Sequence, residues 1–214
     1  MTVPAETETM SARLPAVAAR WLREALTAVE ADPSRIDTLL TSAGRHCGRQ
    51  PLPGDPPPPV GRTVDDAVRA LLLARVPWRG ATLADALSRL YWQGDAAERR
   101  GVLRSLSCFG SRNTLGALAL PLVHDALRTN DPRLIAAALG DYAARHLDAA
   151  AFRQAVLKCL FSGIPLVAVT GLDERADPEL TRMLTDYAEE RRAAGRAVPS
   201  DIEPFIGAGP TTRE

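Results

Sequence analysis

Lysine is almost missing from this chain: Lys158 is the single one among 26 basic residues, the remainder being arginine. The bias fits a high-GC bacterial genome and leaves Lys158 as its exception. Aromatic residues make up only 5%, too few for the stacking platforms on which proteins hold single-stranded nucleic acid. Neither sign of charge is in excess, with 26 basic and 26 acidic residues and a pI near 6.8, so no global field draws nucleic acid or an anionic membrane. Cys47, Cys108 and Cys159 are three and far apart, which is neither zinc spacing nor a disulfide framework, and they are expected to be reduced. No run approaches the roughly 20 apolar residues of a membrane-spanning helix. Glu6 and Glu8 occupy the region where a signal peptide needs a basic start and an apolar core. The expectation is a cytoplasmic protein without a transmembrane segment. Its parts would be a disordered N-terminal tail over residues 1–12, one domain over 13–207 and a C-terminal tail over 208–214.

Motifs for the common chemistries are also missing. There is no Gly-x-Ser-x-Gly elbow, no phosphate-cradling glycine loop and no His-Glu-x-x-His. His46 and His146 fall at helix ends, where a cation suits the dipole, and His124 beside Asp125 does not share a helix face with it. Asp65-Asp66 belongs to a helix start; Arg69 stands where a diphosphate-binding Asp-Asp-x-x-Asp element needs its last carboxylate. No metal and no cofactor is expected.

Helix signals, in contrast, recur along the whole chain. Asp32-Pro33, Asp131-Pro132 and Asp177-Pro178 each offer a capping carboxylate followed by proline at the first helical position, where its missing donor costs nothing. Thr63 to Asp66 and Thr82 to Asp85 resemble capping boxes with Asp in place of Glu. Apolar periodicity predicts helices near 14–31, 33–47, 63–76, 82–92, 95–107, 112–128, 132–146, 148–161 and 177–195. The first carries a stripe of Val17, Trp21, Ala25, Leu26 and Val29, the second one of Ile36, Leu39, Leu40 and Ala43. Pro121 should kink or split its helix. Residues 48–62, with Pro56 to Pro59 in succession, are expected to be a stiff, extended connector, and residues 164–172 an apolar loop packed over the helices. The fold class is all-α, either a HEAT-like helical-repeat solenoid or an irregular bundle of about nine short helices.

The densest unusual chemistry lies between Phe152 and Tyr187. Gln154 and Lys158 align one turn apart on a helix face away from Phe152, Val156, Cys159 and Leu160. Asp173 and Arg175 precede the helix start at Asp177-Pro178, a place suited to an anion or to fixing the loop. Arg182 and Asp186 share a face at i,i+4 spacing. An ion-paired, packed corner and a groove lined by Gln154, Lys158, Asp173 and Arg175 are both consistent with this pattern.

The same stretch resembles the EboA-domain family. The resemblance runs through Val156-Leu157-Lys158, Leu160-Phe161, Gly163, Pro165-Leu166, Gly171-Leu172-Asp173 and Arg175, and on through Pro178-Glu179-Leu180, Arg182-Met183-Leu184, Asp186-Tyr187-Ala188, Glu190-Arg191 and Ala194-Gly195-Arg196, with Arg128-Thr129-Asn130 upstream. It adds Arg128, Asn130 and Tyr187 to the ligand- or partner-binding candidates Gln154, Lys158, Asp173, Arg175 and Arg182. The chain departs from the family at Phe152-Arg153-Gln154-Ala155, where relatives tend to have Trp-Asn-Gln-Met, and at Gly140-Asp141-Tyr142-Ala143, which replaces an Asn-Pro-Tyr-Pro-like corner. The resemblance implies a bacterial secondary-metabolite gene cluster that includes a membrane prenyltransferase, and so a pathway protein or small-molecule metabolite as partner, with contact to a membrane enzyme of the pathway. Two functions fit. One is a non-catalytic scaffold or adaptor binding a partner protein or product. The other is a small-molecule-binding enzyme or carrier whose pocket lies around Gln154, Lys158 and Asp173.

Overall fold

Each of the three Asp-Pro pairs opens a helical segment in the computed structural model, which describes residues 3–109 and 115–206. The carboxylates of Asp32, Asp131 and Asp177 accept the N–H groups of Ser34, Arg133 and Leu180, satisfying donors that the first helical turn leaves orphaned. The described residues are all-α, with one isolated antiparallel bridge between Pro51 and Thr63 as their only β pairing. The helices are α1 (Val3–Arg13), α2 (Ala16–Ala31), α3 (Ile36–Cys47), α4 (Val64–Ala74), α5 (Gly80–Gln93), α6 (Ala96–Ser105), α7 (Leu120–Arg128), α8 (Pro132–Ala138), α9 (Asp141–His146), α10 (Ala149–Phe161), α11 (Leu172–Arg175) and α12 (Pro178–Ala193).

Several boundaries differ from the sequence reading, each for a local reason. Residues Val3–Arg13 are helical rather than a disordered tail, because Met10 is buried and α1 packs on α2 and α4. The stripe of α2 runs through Ala18, Leu22, Ala25, Leu26 and Val29, a spacing of four, three, one and three residues; this leaves Val17 71% exposed. Pro121 does not kink a helix; it lies in the first turn of α7, which starts at Leu120, and the expected residues 112–114 fall outside the described residues. Thr82 is inside the first turn of α5, which begins at Gly80. The helix expected over 132–146 is two, α8 and α9, separated at Gly140. Residues 166–168 form a 3₁₀ turn, and Ile164, Leu166, Ala168, Val169 and Leu172 are buried as expected of a packed loop. Residues 207–214, including the expected C-terminal tail, fall outside the described residues.

The core is organised around α4. All ten residues from Val64 to Leu73 are buried, including Asp65, Asp66 and Arg69, and the helix packs against α1, α2, α3 and α6. A helix enclosed on every side gives the front half the character of a bundle, since stacked repeats touch only their neighbours in order. Arg69, 1% exposed, is the largest fully buried side chain. Its Nη1 pairs with Asp65 Oδ2 at 2.5 Å one turn earlier, and its Nε donates to the carbonyl of Leu40 on α3 at 3.0 Å. Gly101 lets α6 approach: a Cβ there would stand 2.6 Å from Arg69 Cδ.

The proline-rich segment is not an extended spacer. Leu52 N–H donates to the Arg62 carbonyl at 2.8 Å and Val64 N–H to the Gln50 carbonyl at 3.0 Å, so the chain leaves and returns beside itself. Asp55 holds the closing end through the Arg62 guanidinium at 2.7 and 3.0 Å. Arg104 of α6 donates to the Val60 carbonyl at 2.6 Å, and Leu52 is buried. Prolines stiffen the loop, but Gly54 at φ 89° and Gly61, whose Cβ would fall 1.8 Å from the Pro56 carbonyl oxygen, let it reverse.

Arg69→Met alone should cost about 3–5 kcal/mol in urea unfolding, because it strands the buried Asp65 charge. Adding Asp65→Leu should recover most of that loss, since an apolar pair replaces an ionic one at little net cost. A double variant no more stable than the single one would show that the pair is not coupled.

Candidate functional site

The residues singled out by sequence are scattered over the second half. Gln154 and Asp173 are exposed. Lys158, half-buried on α10, donates to Asn130 Oδ1 at 3.3 Å, linking α10 to the turn before α8. Arg128 is exposed and pairs with Asp125 at 3.4 Å. Arg182 is spanned by Glu179 and Asp186 on its own helix, at 2.7 and 2.6 Å; solvated pairs of this kind contribute little. Tyr187 is buried, edge-on to Phe161, with Arg191 over its ring.

Arg175 has a plain structural duty. Its guanidinium donates to the carbonyls of Ala144 and Leu147, both at 2.8 Å, and lies 4.1 Å over the Phe152 ring. Those carbonyls sit at the C-terminal end of α9, where a cation also suits the helix dipole. Arg153, one of the departures from the family pattern, pairs with Asp177 at 2.6 Å and so ties α10 to the start of α12. Of the eight candidates, only Lys158 and Asn130 are brought together as a pair.

A cleft lies elsewhere, between the proline-rich loop, α4, α6 and the start of α8. A cavity of about 140 Å³ is lined by Arg49, Pro51, Pro58, Pro59, Gly61, Thr63, Asp66, Arg100 and Arg133. A wider cleft of about 330 Å³ shares Arg49, Thr63, Arg100 and Arg133 with it and adds Asp95, Ala96 and Ala97. Each side chain arrives for a local reason. Thr63 is the N-cap of α4, and the Asp66 carboxylate returns to its N–H through Oδ2 at 3.4 Å, the capping box expected from sequence. Arg100, 8% exposed on α6, donates its Nε to the same Oδ2 at 3.2 Å. Arg49 follows the end of α3 at Gly48, whose φ of 89° turns the chain toward the cleft. Arg133 projects from the first turn of α8, next to the capping Asp131.

The electrostatics of the inner cavity favour negative charge. Three arginines face one carboxylate, a net of +2, and among the described residues neither Arg49 nor Arg133 has an acidic partner. Asp66 Oδ1 is buried with no hydrogen-bond donor. One turn beyond Arg100, Arg104 is held below the usual arginine range by burial, with Asp66 opposing that shift. The sequence reading missed this site because it took residues 48–62 for a spacer. One signal pointed to it: glycines interrupting the prolines at Gly54 and Gly61, where the loop reverses.

Two of the three thiols, Cys47 and Cys159, are buried. Burial pushes Cys47 up to about 11, and nearby Asp65 adds to the shift; burial pushes Cys159 up to about 12, with Asp201 adding. Because a raised pKa favours the thiol, iodoacetamide at pH 8 should leave Cys47 and Cys159 unmodified until the protein unfolds, as read by peptide mass spectrometry. Native stability should likewise fall as the pH rises from about 9 toward 12, since only the unfolded chain then ionises these groups freely. Two of the cationic candidates, Lys158 and Arg175, should separate in thermal unfolding. Lys158→Ala should leave the midpoint unchanged, whereas Arg175→Ala should lower stability by about 1.5–3 kcal/mol through its lost charge-assisted bonds.

Comparison with known proteins bears on the same region. Nothing among curated proteins or solved structures matches the chain. The family model described as metabolite traffic protein EboA matches residues 54–207, a span that includes the returning limb of the proline-rich loop, α4 through α12 and most of the cleft lining. With well over half of its length matched by that model, the chain belongs to the EboA family.

Proposed function

We propose that this protein is a non-catalytic binding component of a metabolite-handling pathway, and that it holds a small metabolite in the arginine-lined cleft between the proline-rich loop, α4, α6 and α8. The observation that carries the reading is the cleft itself: Arg49 and Arg133, without acidic partners among the described residues, stand over a buried Asp66–Arg100 floor. The cavity with this floor is about 140 Å³, and it adjoins a wider cleft that shares Arg49, Thr63, Arg100 and Arg133 and adds Asp95. The family description, metabolite traffic, accords with holding and passing on a compound. A pathway protein that delivers or collects the metabolite is the natural partner. No helix among the described residues is long and apolar enough to cross a membrane, so any membrane enzyme of the pathway would be met from outside the bilayer.

Binding through the face of α10 that carries Gln154 and Lys158 is the second reading. It is favoured by the Lys158–Asn130 link, which presents the single lysine at the junction of two helices.

Native mass spectrometry of the full chain, purified from cells expressing its pathway, tests the proposal. A small-molecule adduct that is retained, and released unchanged on denaturation, is the expected result. Conversion of that molecule during incubation would overturn the non-catalytic part. A bare protein would overturn the role of holding a pathway metabolite.

A further inference from the structure

We infer that the cleft recognises a hydroxylated organic acid: an oxyanion gripped by Arg49, Arg100 and Arg133, with an adjacent hydroxyl donating to Asp66 and an apolar body against the prolines. The inference rests on the proposed binding role and specifies the ligand's chemistry.

Three observations converge on it. Guanidinium groups from three separate elements line the inner cavity, and two of them have no acidic partner among the described residues. Planar guanidinium forks match a carboxylate or phosphate group, and they bind such groups through short, charge-assisted bonds. Asp66, 1% exposed, lines the same cavity and is already committed on Oδ2 to Thr63 N–H and Arg100 Nε. Its Oδ1 has no donor among the described residues and almost no accessible surface, so a ligand hydroxyl reaches it by a small displacement of the lining. A buried acceptor left without a donor costs free energy that a partner hydroxyl recovers, so a ligand with a donor beside its anionic group is preferred to one without. Pro51, Pro58 and Pro59 complete the lining with rigid apolar surface that no hydrogen bond competes for. The loop that carries them is pinned by Asp55–Arg62 and by Arg104 on Val60, so the wall stands preformed.

Calorimetric titration of the full chain with mandelate and with phenylacetate isolates the hydroxyl, since both present a carboxylate one carbon from a phenyl ring and differ only by the hydroxyl on that carbon. Mandelate should bind saturably and roughly 10-fold more tightly than phenylacetate, the factor expected for one additional hydrogen bond to a charged acceptor. Arg49→Gln with Arg133→Gln, both exposed positions, should leave the unfolding midpoint intact and weaken mandelate by at least ~10-fold. Equal affinity for the two acids, no saturable binding of either, or mandelate binding untouched by the double substitution would overturn the inference. The two proposals fail separately. An adduct in native mass spectrometry that survives both substitutions would sink the arginine site and leave the binding role standing. A bare protein that nevertheless discriminates mandelate from phenylacetate would do the reverse.

Discussion

Arg69 lies across the junction of three helices without access to water, and the arrangement of the front half follows from satisfying it. Its Nη1 meets the Asp65 carboxylate on the same face of α4 and also reaches the Ala97 carbonyl of α6, and its Nε donates to the Leu40 carbonyl of α3. A guanidinium buried at this depth has little tolerance for error, because each unmet donor costs free energy that water would otherwise have supplied. The neighbours therefore have to stand where they do. Leu40 presents its carbonyl from α3, and Gly101 gives up a side chain so that α6 can close on the arginine stem.

Once α4 and α6 are fixed at this spacing, the second layer of charge follows. Asp66 and Arg100 fall opposite each other, and Arg104, one turn on, reaches back to the proline-rich loop at Val60. The loop is thus held by the helices it connects, and its prolines are turned from a spacer into one wall of a cleft. Structure and site share a cause here: the charges that stabilise the helix junction continue to its surface, where Arg49 and Arg133 extend them without acidic partners among the described residues. The second half is organised differently. There Arg175, Arg153 and Lys158 are spent on carbonyls, a cap and an amide, which makes that corner a packed joint between α9, α10 and α12.

Legibility from sequence was uneven along these lines. Asp32, Asp131 and Asp177 announced their helix starts because capping is a matter of three or four adjacent residues, and local chemistry is written locally. Val17 was misplaced because a stripe read one residue out of phase looks as apolar as the true one. α8 and α9 merged in the sequence reading because Gly140 alone does not say whether a helix continues through it. The Phe152–Tyr187 region drew attention through its unusual polar spacing, yet Arg175 turned out to be aimed at backbone carbonyls, which leave no trace in a side-chain pattern. The cleft escaped because its lining comes from Arg49, Asp66, Arg100 and Arg133, which are 17, 34 and 33 residues apart in succession.

By itself, then, the sequence determined the helical class, three helix starts at Asp-Pro pairs, the capping box at Thr63 and a resemblance that the family match supports. These follow from hydrogen-bond needs and apolar periods that act within a few residues. Only the tertiary structure decided that Asp65, Asp66 and Arg69 are interior, that the proline-rich segment folds back, and that three distant arginines face one carboxylate. Burial and convergence depend on which surfaces of remote helices meet. The physical reason is that a charge acquires its role from what replaces water around it, and that replacement exists only once the chain has closed.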